Sequence, residues 1–433
     1  YYQGSSPHIS LLQQWIAAYN AYAAGNTSAE LVLYPLPDSF EESLPWVLGG
    51  MDVILTYPSH GETLLTGAYM VPLDEVWQRN DLEDAVLAVL KRTLAAGGDH
   101  RYGVPALALA GVCTYRKSMF AALGVTVPSH WTALLALCAK AKAAGRMCLT
   151  VDVGIEGASA LFDFLFIRMY GHKAYSAFLL GDVSFVDGPV RSVMEEIIGL
   201  HEAGYYVASD TPAGRKLPHS RGVLSNSSVI ACGVDMFASM MSRDESADDL
   251  ASFAFPVYDG PIGSGRGAAD MHSAPSTSVY LAAPRSATNV AGAVDFLAFV
   301  SSAAGRSILS AWLSQTHASW GVPVFKSVAD ELASQRTALG RQLLDSDTAP
   351  PLPFSRRGLS PHQLSVSWIK LLGNVQLAAT VADARQELDA GLETMEAIRL
   401  AERFHKASPP RMLPVSGTYL GDVEVTMTSV TPN

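Results

Sequence analysis

Charge is scarce in this chain, and what there is leans acidic. Charged residues make up 16% of the 433 and the net charge is −11. Runs of Lys and Arg do not exceed two residues, as at Arg356-Arg357. A nucleic-acid binder needs a basic face to neutralise phosphates, so DNA and RNA are excluded as partners. No apolar run approaches the roughly 18–20 residues that span a bilayer. The chain opens on Tyr1-Tyr2-Gln3 without Met or a signal peptide, as a mature or trimmed chain does.

Cysteine is sparse too. Cys113, Cys138, Cys148 and Cys232 lie far apart with no C-x-x-C, which argues against a zinc site. Three of them sit inside apolar strand or helix patterns, where small buried hydrophobes are the plain reading. A Cys138–Cys148 disulfide is the open alternative, and the count leaves the redox compartment undecided. Enzyme signatures are missing as well. Gly263-Ser264-Gly265-Arg266-Gly267-Ala268 loosely fits a dinucleotide loop, but it lies late in a Gly/Pro loop and opens no helix. G-x-S-x-G is absent, and His201-Glu202 lacks the second His of H-E-x-x-H.

What is present is core. Hydrophobic residues make up 49%, enough for two to three domains at this length. Periodicity predicts a helix over 9–24, strands at 31–36 and 51–56, and helical character over 80–97. This βαβα alternation predicts a parallel sheet between helices. Val104–Tyr115 reads as one extended apolar run with Pro105 at its start or on an edge. A short helix, Lys117–Leu123, should stop at Gly124. Ser129 should cap a helix over 130–144 whose Trp131, Leu134, Leu135 and Cys138 share one face. Further strands are expected at 148–153, 228–234, 253–257 and 278–283. Helices are expected at 159–170, 188–203, 235–243, 291–301, 305–314, 363–379 and 380–404.

The order of these segments resembles a known family. The block Tyr102-Gly103-Val104-Pro105, apolar strand, Tyr115-Arg116-Lys117, helix, Gly124, Pro128, Trp131 looks like the hinge region of bacterial extracellular solute-binding proteins. These are the ligand-capturing subunits of ABC importers, in the mainly carbohydrate-binding family 1. Gly67 to Pro72-Leu73-Asp74 matches a first-lobe turn of that family. Phe255-Pro256, Ala283-Pro284-Arg285-Ser286, Ala293-Val294-Asp295-Phe296-Leu297-Ala298-Phe299, Gly305 and Pro323-Val324-Phe325-Lys326-Ser327 follow in family order. The resemblance covers about residues 9–400. It implies an α/β, two-lobed periplasmic-binding-protein fold of type II, with a ligand cleft between the lobes and hinge crossovers. The N-terminal lobe would be 1–108 and 275–322, the C-terminal lobe 109–274 and 323–407, with a tail at 408–433. Crossings are expected at 102–145, 274–280 and 321–323.

Sugar capture needs aromatic faces and fixed polar groups on loops beyond strand ends. On this ground, and by the resemblance, the candidate ligand residues are Tyr57, Ser59 and His60 after the 51–56 strand and Glu156 after 148–153. Asp235 and Phe237 follow 228–234, Met271 and His272 precede the return strand, and Trp320 lies on an inter-lobe connection. Leu109 lies on the hinge strand, and Trp368 on a late helix. Each has a plainer alternative. Ser59 and Asp235 suit helix caps, Glu156 a solvated loop, Phe237 and Trp368 core packing, and a lone His a structural role. Leu107-Ala108-Leu109-Ala110 stands where the family often supplies polar side chains, so the hinge strand looks like an apolar floor.

The reading is therefore a binding protein and not an enzyme, with no cofactor, metal or catalytic residue. It would be a monomer that closes on a di- or oligosaccharide and delivers it to the transmembrane permease. Its place would be periplasmic or extracytoplasmic, lipid-anchored to a membrane upstream of Tyr1. The alternatives are a non-sugar solute, motivated by the apolar hinge strand, and a hydrolase or transferase with an unrecognised site.

Overall fold

A computed structural model describes residues 7–23, 51–56, 69–87, 90–91, 100–151, 160–208, 228–233, 249–260, 276–315, 324–331, 362–378 and 380–407. The apolar run at 104–116 is extended almost throughout, yet it belongs to two sheets. Its first part, β2 (Val104–Ala110), pairs with β8 (Ser276–Ala282). Its second part, β3 (Val112–Arg116), pairs with β6 (Ser228–Gly233) and β7 (Leu250–Phe253). Only the buried Gly111 lies between them. The single strand expected over Val104–Tyr115 is thus two strands of one crossover.

The first sheet has the order β1-β8-β2, with β1 at Ile54–Thr56. Among the described residues both of its pairings are antiparallel; the strand expected at 31–36 lies outside the described residues. The reason for the antiparallel pairing is topological. The chain returns from the second lobe as β8 and inserts between β1 and β2, which run parallel to each other but do not touch. Helices α1 (Pro7–Tyr22), α2 (Asp74–Arg79), α3 (Leu82–Ala85), α8 (Val290–Ser301) and α9 (Ala303–Gln315) build the rest of this lobe. Its core joins Trp15, Trp77, Val104, Leu107, Leu281, Phe296 and Trp312. The buried tryptophans also satisfy their indole N–H groups, Trp15 on the Gly305 carbonyl at 2.9 Å and Trp77 on the Gly103 carbonyl at 3.0 Å.

The second sheet has the order β5-β4-β6-β3-β7, with β4 at Met147–Val151 and β5 at Tyr206–Ala208. Here β4 runs parallel to both β5 and β6. Helices α4 (Lys117–Leu123), α5 (Trp131–Ala143), α6 (Ala160–Leu179), α7 (Pro189–Glu202), α11 (His362–Leu377) and α12 (Val381–Ala407) surround it. A separate core holds Trp131, Leu149, Phe162, Phe166, Phe178, Ile230, Trp368 and Leu388. Gly124 ends α4 in the left-handed conformation, as its position promised.

Two cores with one extended link make a two-lobed molecule. The strand pairing passes from one sheet to the other at Gly111. Val324, Phe325 and Val328, the last on α10 (Lys326–Glu331), pack in the first core. The apolar Val324-Phe325 pair finds the first core directly after α9, whereas α11 belongs wholly to the second.

Two expectations about caps and cysteines are corrected. Ser129 does not cap α5. Asp259, arriving from a distant segment, accepts from the Thr132 amide at 2.9 Å and from the Thr132 hydroxyl. Asp249 does the same at α4, accepting from the Ser118 amide at 2.8 Å. The β7 segment is thereby stapled at both ends to helix N-termini, where a carboxylate is favoured by unpaired amides and the helix dipole. Between the staples, Arg168 donates to the Phe255 carbonyl at 3.1 and 3.2 Å, and Val257 pairs with the 129–131 backbone.

All four cysteines are paired. Cys113–Cys232 joins directly opposed residues of β3 and β6, and Cys138–Cys148 ties α5 to β4. Sequence spacing does not encode which cysteines become cross-strand neighbours, so the buried-hydrophobe reading was incomplete rather than misplaced: all four are buried.

Burial by itself raises the Asp259 carboxyl, but the Thr132 hydroxyl and amide outweigh it and hold its pKa below the ordinary value. Its stabilisation is present above the unfolded carboxylate pKa of about 3.9 and fades as pH falls through the lower folded value. Asp259→Ala should cost about 1 kcal/mol near neutrality, and less once the carboxylate is protonated, read from urea midpoints across acid pH. Removing the long-loop bridge should cost more than removing the short one. The separations of 119 and 10 residues correspond to on the order of 5 and 3 kcal/mol by loop entropy. Denaturant midpoints of the Cys113→Ser/Cys232→Ser and Cys138→Ser/Cys148→Ser pairs check the order.

Candidate functional site

The strand directions decide where a site can form. β2 runs towards Gly111 and ends at Ala110, which is level with Ser276 at the start of β8. β1 runs the same way as β2 and ends at Thr56, level with Tyr280. In the second sheet Val112 begins β3 and is paired with Gly233, the last residue of β6. β4, parallel to β6, ends at Val151, level with Ala208 at the end of β5. β7 ends at Phe253, level with Cys113. The ends of β2, β4, β5, β6 and β7 and the starts of β3 and β8 lie on the side of their sheet that meets Gly111, whereas Thr56, level with Pro105 through Tyr280, stands near the other end of β2. With about 3.3 Å per extended residue, Ala110 and Val112 are about 7 Å apart along the chain. The two sheets therefore present their carboxyl-side edges to one another across a single-residue link, the position where open α/β sheets bind ligands.

The candidate residues relate to these ends as follows. Tyr57 follows Thr56 directly, Asp235 lies two residues after Gly233, and Met271 and His272 shortly precede Ser276. Tyr57, Ser59, His60, Glu156, Asp235, Phe237, Met271, His272 and Trp320 lie outside the described residues. Leu109 lies on β2, level with Thr277 of β8, one residue before the crossing edge.

Trp368 is a correction. It is 0% exposed and packs edge-on against Phe162 at 4.5 Å and Phe178 at 5.4 Å between ring centres, inside the second core. Its helix face carries Leu364, Leu371 and Leu372 inward as well. The helical spacing of these residues already favoured packing, and the aromatic cluster of α6 supplies the partners.

The return strand is longer at its start than the expected 278–283. β8 starts at Ser276, and Ser276 and Thr277 pair with Ala110 and Leu109. The signal was a hydroxyl run just before an apolar strand, which resembles a loop in composition. Among the described residues, no group of three or more His, Cys, Asp or Glu is placed to hold a metal ion.

Comparison with known proteins agrees with this geometry. Residues 49–171 match the sequence profile described as bacterial extracellular solute-binding protein. No curated protein sequence matches significantly. Solved structures match over nearly the whole chain. The bacterial solute receptor AcbH, described as having an exclusive preference for β-D-galactopyranose, superposes with a TM-score of 0.74 at 17% identity, covering 93% of this chain and 97% of its own. The GacH receptor of Streptomyces glaucescens, solved unliganded and with acarbose, gives 0.69 at 14% identity, covering 92% and 97%. UgpB from Mycobacterium tuberculosis, solved with glycerophosphocholine, gives 0.68 at 16% identity, covering 92% and 98%.

Trp368→Ala should destabilise the protein by about 3–5 kcal/mol, the cost of emptying a large aromatic site in a packed core. Chemical denaturation measures it. A variant as stable as the parent would mean the ring is not core. The resemblance read from the sequence thus stands on two findings: residues 49–171 carry the signature of the bacterial extracellular solute-binding proteins, and the chain has the two-lobed α/β fold of solute receptors.

Proposed function

We propose that the protein is the solute-capturing subunit of an ABC importer and that its ligand is a carbohydrate, a di- or oligosaccharide in the first instance. The observation that carries this reading is the meeting of the two sheets' carboxyl-side edges at Gly111, on a fold shared with receptors described as binding galactopyranose and acarbose. A sugar held there touches both lobes at once. Binding energy from stacking and hydrogen bonds then favours a closed arrangement over an open one, and a permease reads the closed form. The protein performs no covalent chemistry. It works as a monomer outside the cytoplasm. The two disulfides, which leave no free cysteine, support an oxidising compartment.

One observation favours a second reading. The crossing strand offers Leu107, Ala108, Leu109 and Ala110 at its cleft end, with no polar side chain among them. The UgpB neighbour was solved with a non-sugar solute, glycerophosphocholine. A zwitterionic phosphodiester would place methyl groups against such a floor.

Calorimetric titration against D-galactose, maltose, chitobiose, D-mannitol and glycerophosphocholine separates the readings. The carbohydrate reading expects heat from at least one sugar, and stabilisation of about 2.7 kcal/mol at a hundredfold excess over its dissociation constant. Response to glycerophosphocholine alone would select the second reading. Silence towards every sugar would remove the first.

A further inference from the structure

The crossing segment is held unequally on its two sides. Before Gly111, among the described residues, β2 pairs with β8 alone. After Gly111, β3 pairs with β6 on one side and with β7 on the other. A covalent tie is added there as well. Cys113, two residues past the glycine, is bridged to Cys232, its direct partner on β6. Their Cα atoms are 4.0 Å apart, the close spacing of an antiparallel pair whose two members exchange no backbone hydrogen bonds. The bridge therefore fastens a rung that the ladder itself leaves open. Between it and the crossing stands one further rung, Val112 with Gly233. Gly233 has no side chain to pack, and Gly111 adjoins Val112, so without the bridge this end of the ladder has little to resist fraying. Both cysteines are buried, which shields the tie from external thiols and makes it a permanent part of the strand rather than a switch.

We propose that the Cys113–Cys232 bridge is a positioning element for ligand capture. It confines the bend of lobe closure to Gly111 and the β2 side, and it makes β3 move as one piece with the second lobe. This deepens the solute-capture reading and rests on it. A ligand that touches both lobes needs the edge of the second sheet in place before it arrives. If Val112 and Cys113 fray in the free protein, binding must order them, and ordering one backbone residue lowers affinity about tenfold. The bridge orders them beforehand, and a site ordered in advance binds more tightly. The other disulfide supplies a control within the same lobe. Cys148 follows Met147 on β4, and Met147 is level with Ser228 at the start of β6, the end of the sheet away from Gly111.

Cys113→Ala/Cys232→Ala and Cys138→Ala/Cys148→Ala are to be titrated, well below both melting temperatures, with the solute of the panel that binds the parent protein. The first pair should bind about tenfold more weakly, and its amides at 112–114 should exchange hydrogen faster before ligand is added. The second pair should keep the parent's affinity and the parent's exchange at 112–114, although it too loses stability. Cys113→Val/Cys232→Val refills the rung with side chains that pack across strands but restores no covalent tie. It should stay weak, and it carries the test if the alanine pair does not fold. A bridge that only stabilises the fold would leave the affinity of the folded protein unchanged. Parental affinity in the variants lacking Cys113–Cys232, or equal weakening on removal of either bridge, would overturn the proposal while leaving the solute-capture reading in place. Silence of the parent protein towards every solute of the panel would overturn both together.

Discussion

Everything else in this molecule follows from one extended segment serving two sheets. Residues 104–116 are extended on both sides of Gly111, yet their backbone hydrogen bonds go to β8 before it and to β6 and β7 after it. A strand must find partners for its amides and carbonyls on both sides of that glycine. Doing so from two different sheets forces two separate cores, with the sheet edges left facing one another. Glycine suits the junction because it places no side chain between them and tolerates a change of backbone direction. The two-lobed shape is thus a consequence of hydrogen-bond accounting along one strand.

The second lobe is built to hold its side of the junction still. Cys113 and Cys232 bridge β3 and β6 close to the glycine, and Asp249 and Asp259 fasten the β7 segment to the starts of α4 and α5. Arg168, buried in α6, adds a charged donor to the Phe255 carbonyl. In the proposed function such bracing concentrates motion at the links between lobes, which is what hinge closure requires. The first lobe is braced differently, by indole N–H groups that reach backbone carbonyls of neighbouring segments.

Much of this was legible in the residues. The apolar runs at 104–115, 148–153 and 228–234 and the amphipathic spacing of 291–301 located elements correctly because periodicity is a local property. The Cys138–Cys148 bridge stood open as an alternative, but the Cys113–Cys232 bridge, the Asp259 cap and the insertion of β8 between β1 and β2 were not legible, because each depends on which distant segments become neighbours. Thr132 and its capping carboxylate lie 127 residues apart. β5, three residues long, is too short to show alternation. Of the site, Leu109 and the loops after strand ends could be nominated from sequence. The helical spacing of Trp368 with Leu364, Leu371 and Leu372 already pointed to the core, and Phe162 and Phe178 beside it decide the matter.

The central claim is that ligand occupies the space between the two facing sheet edges and draws the lobes together. Small-angle X-ray scattering, with and without a saturating sugar identified by titration, tests it most directly. The account predicts a smaller radius of gyration in the bound state, with the scattering of each lobe otherwise unchanged. An identical radius at full saturation would contradict it, since a ligand held by one lobe alone gives the other no reason to move.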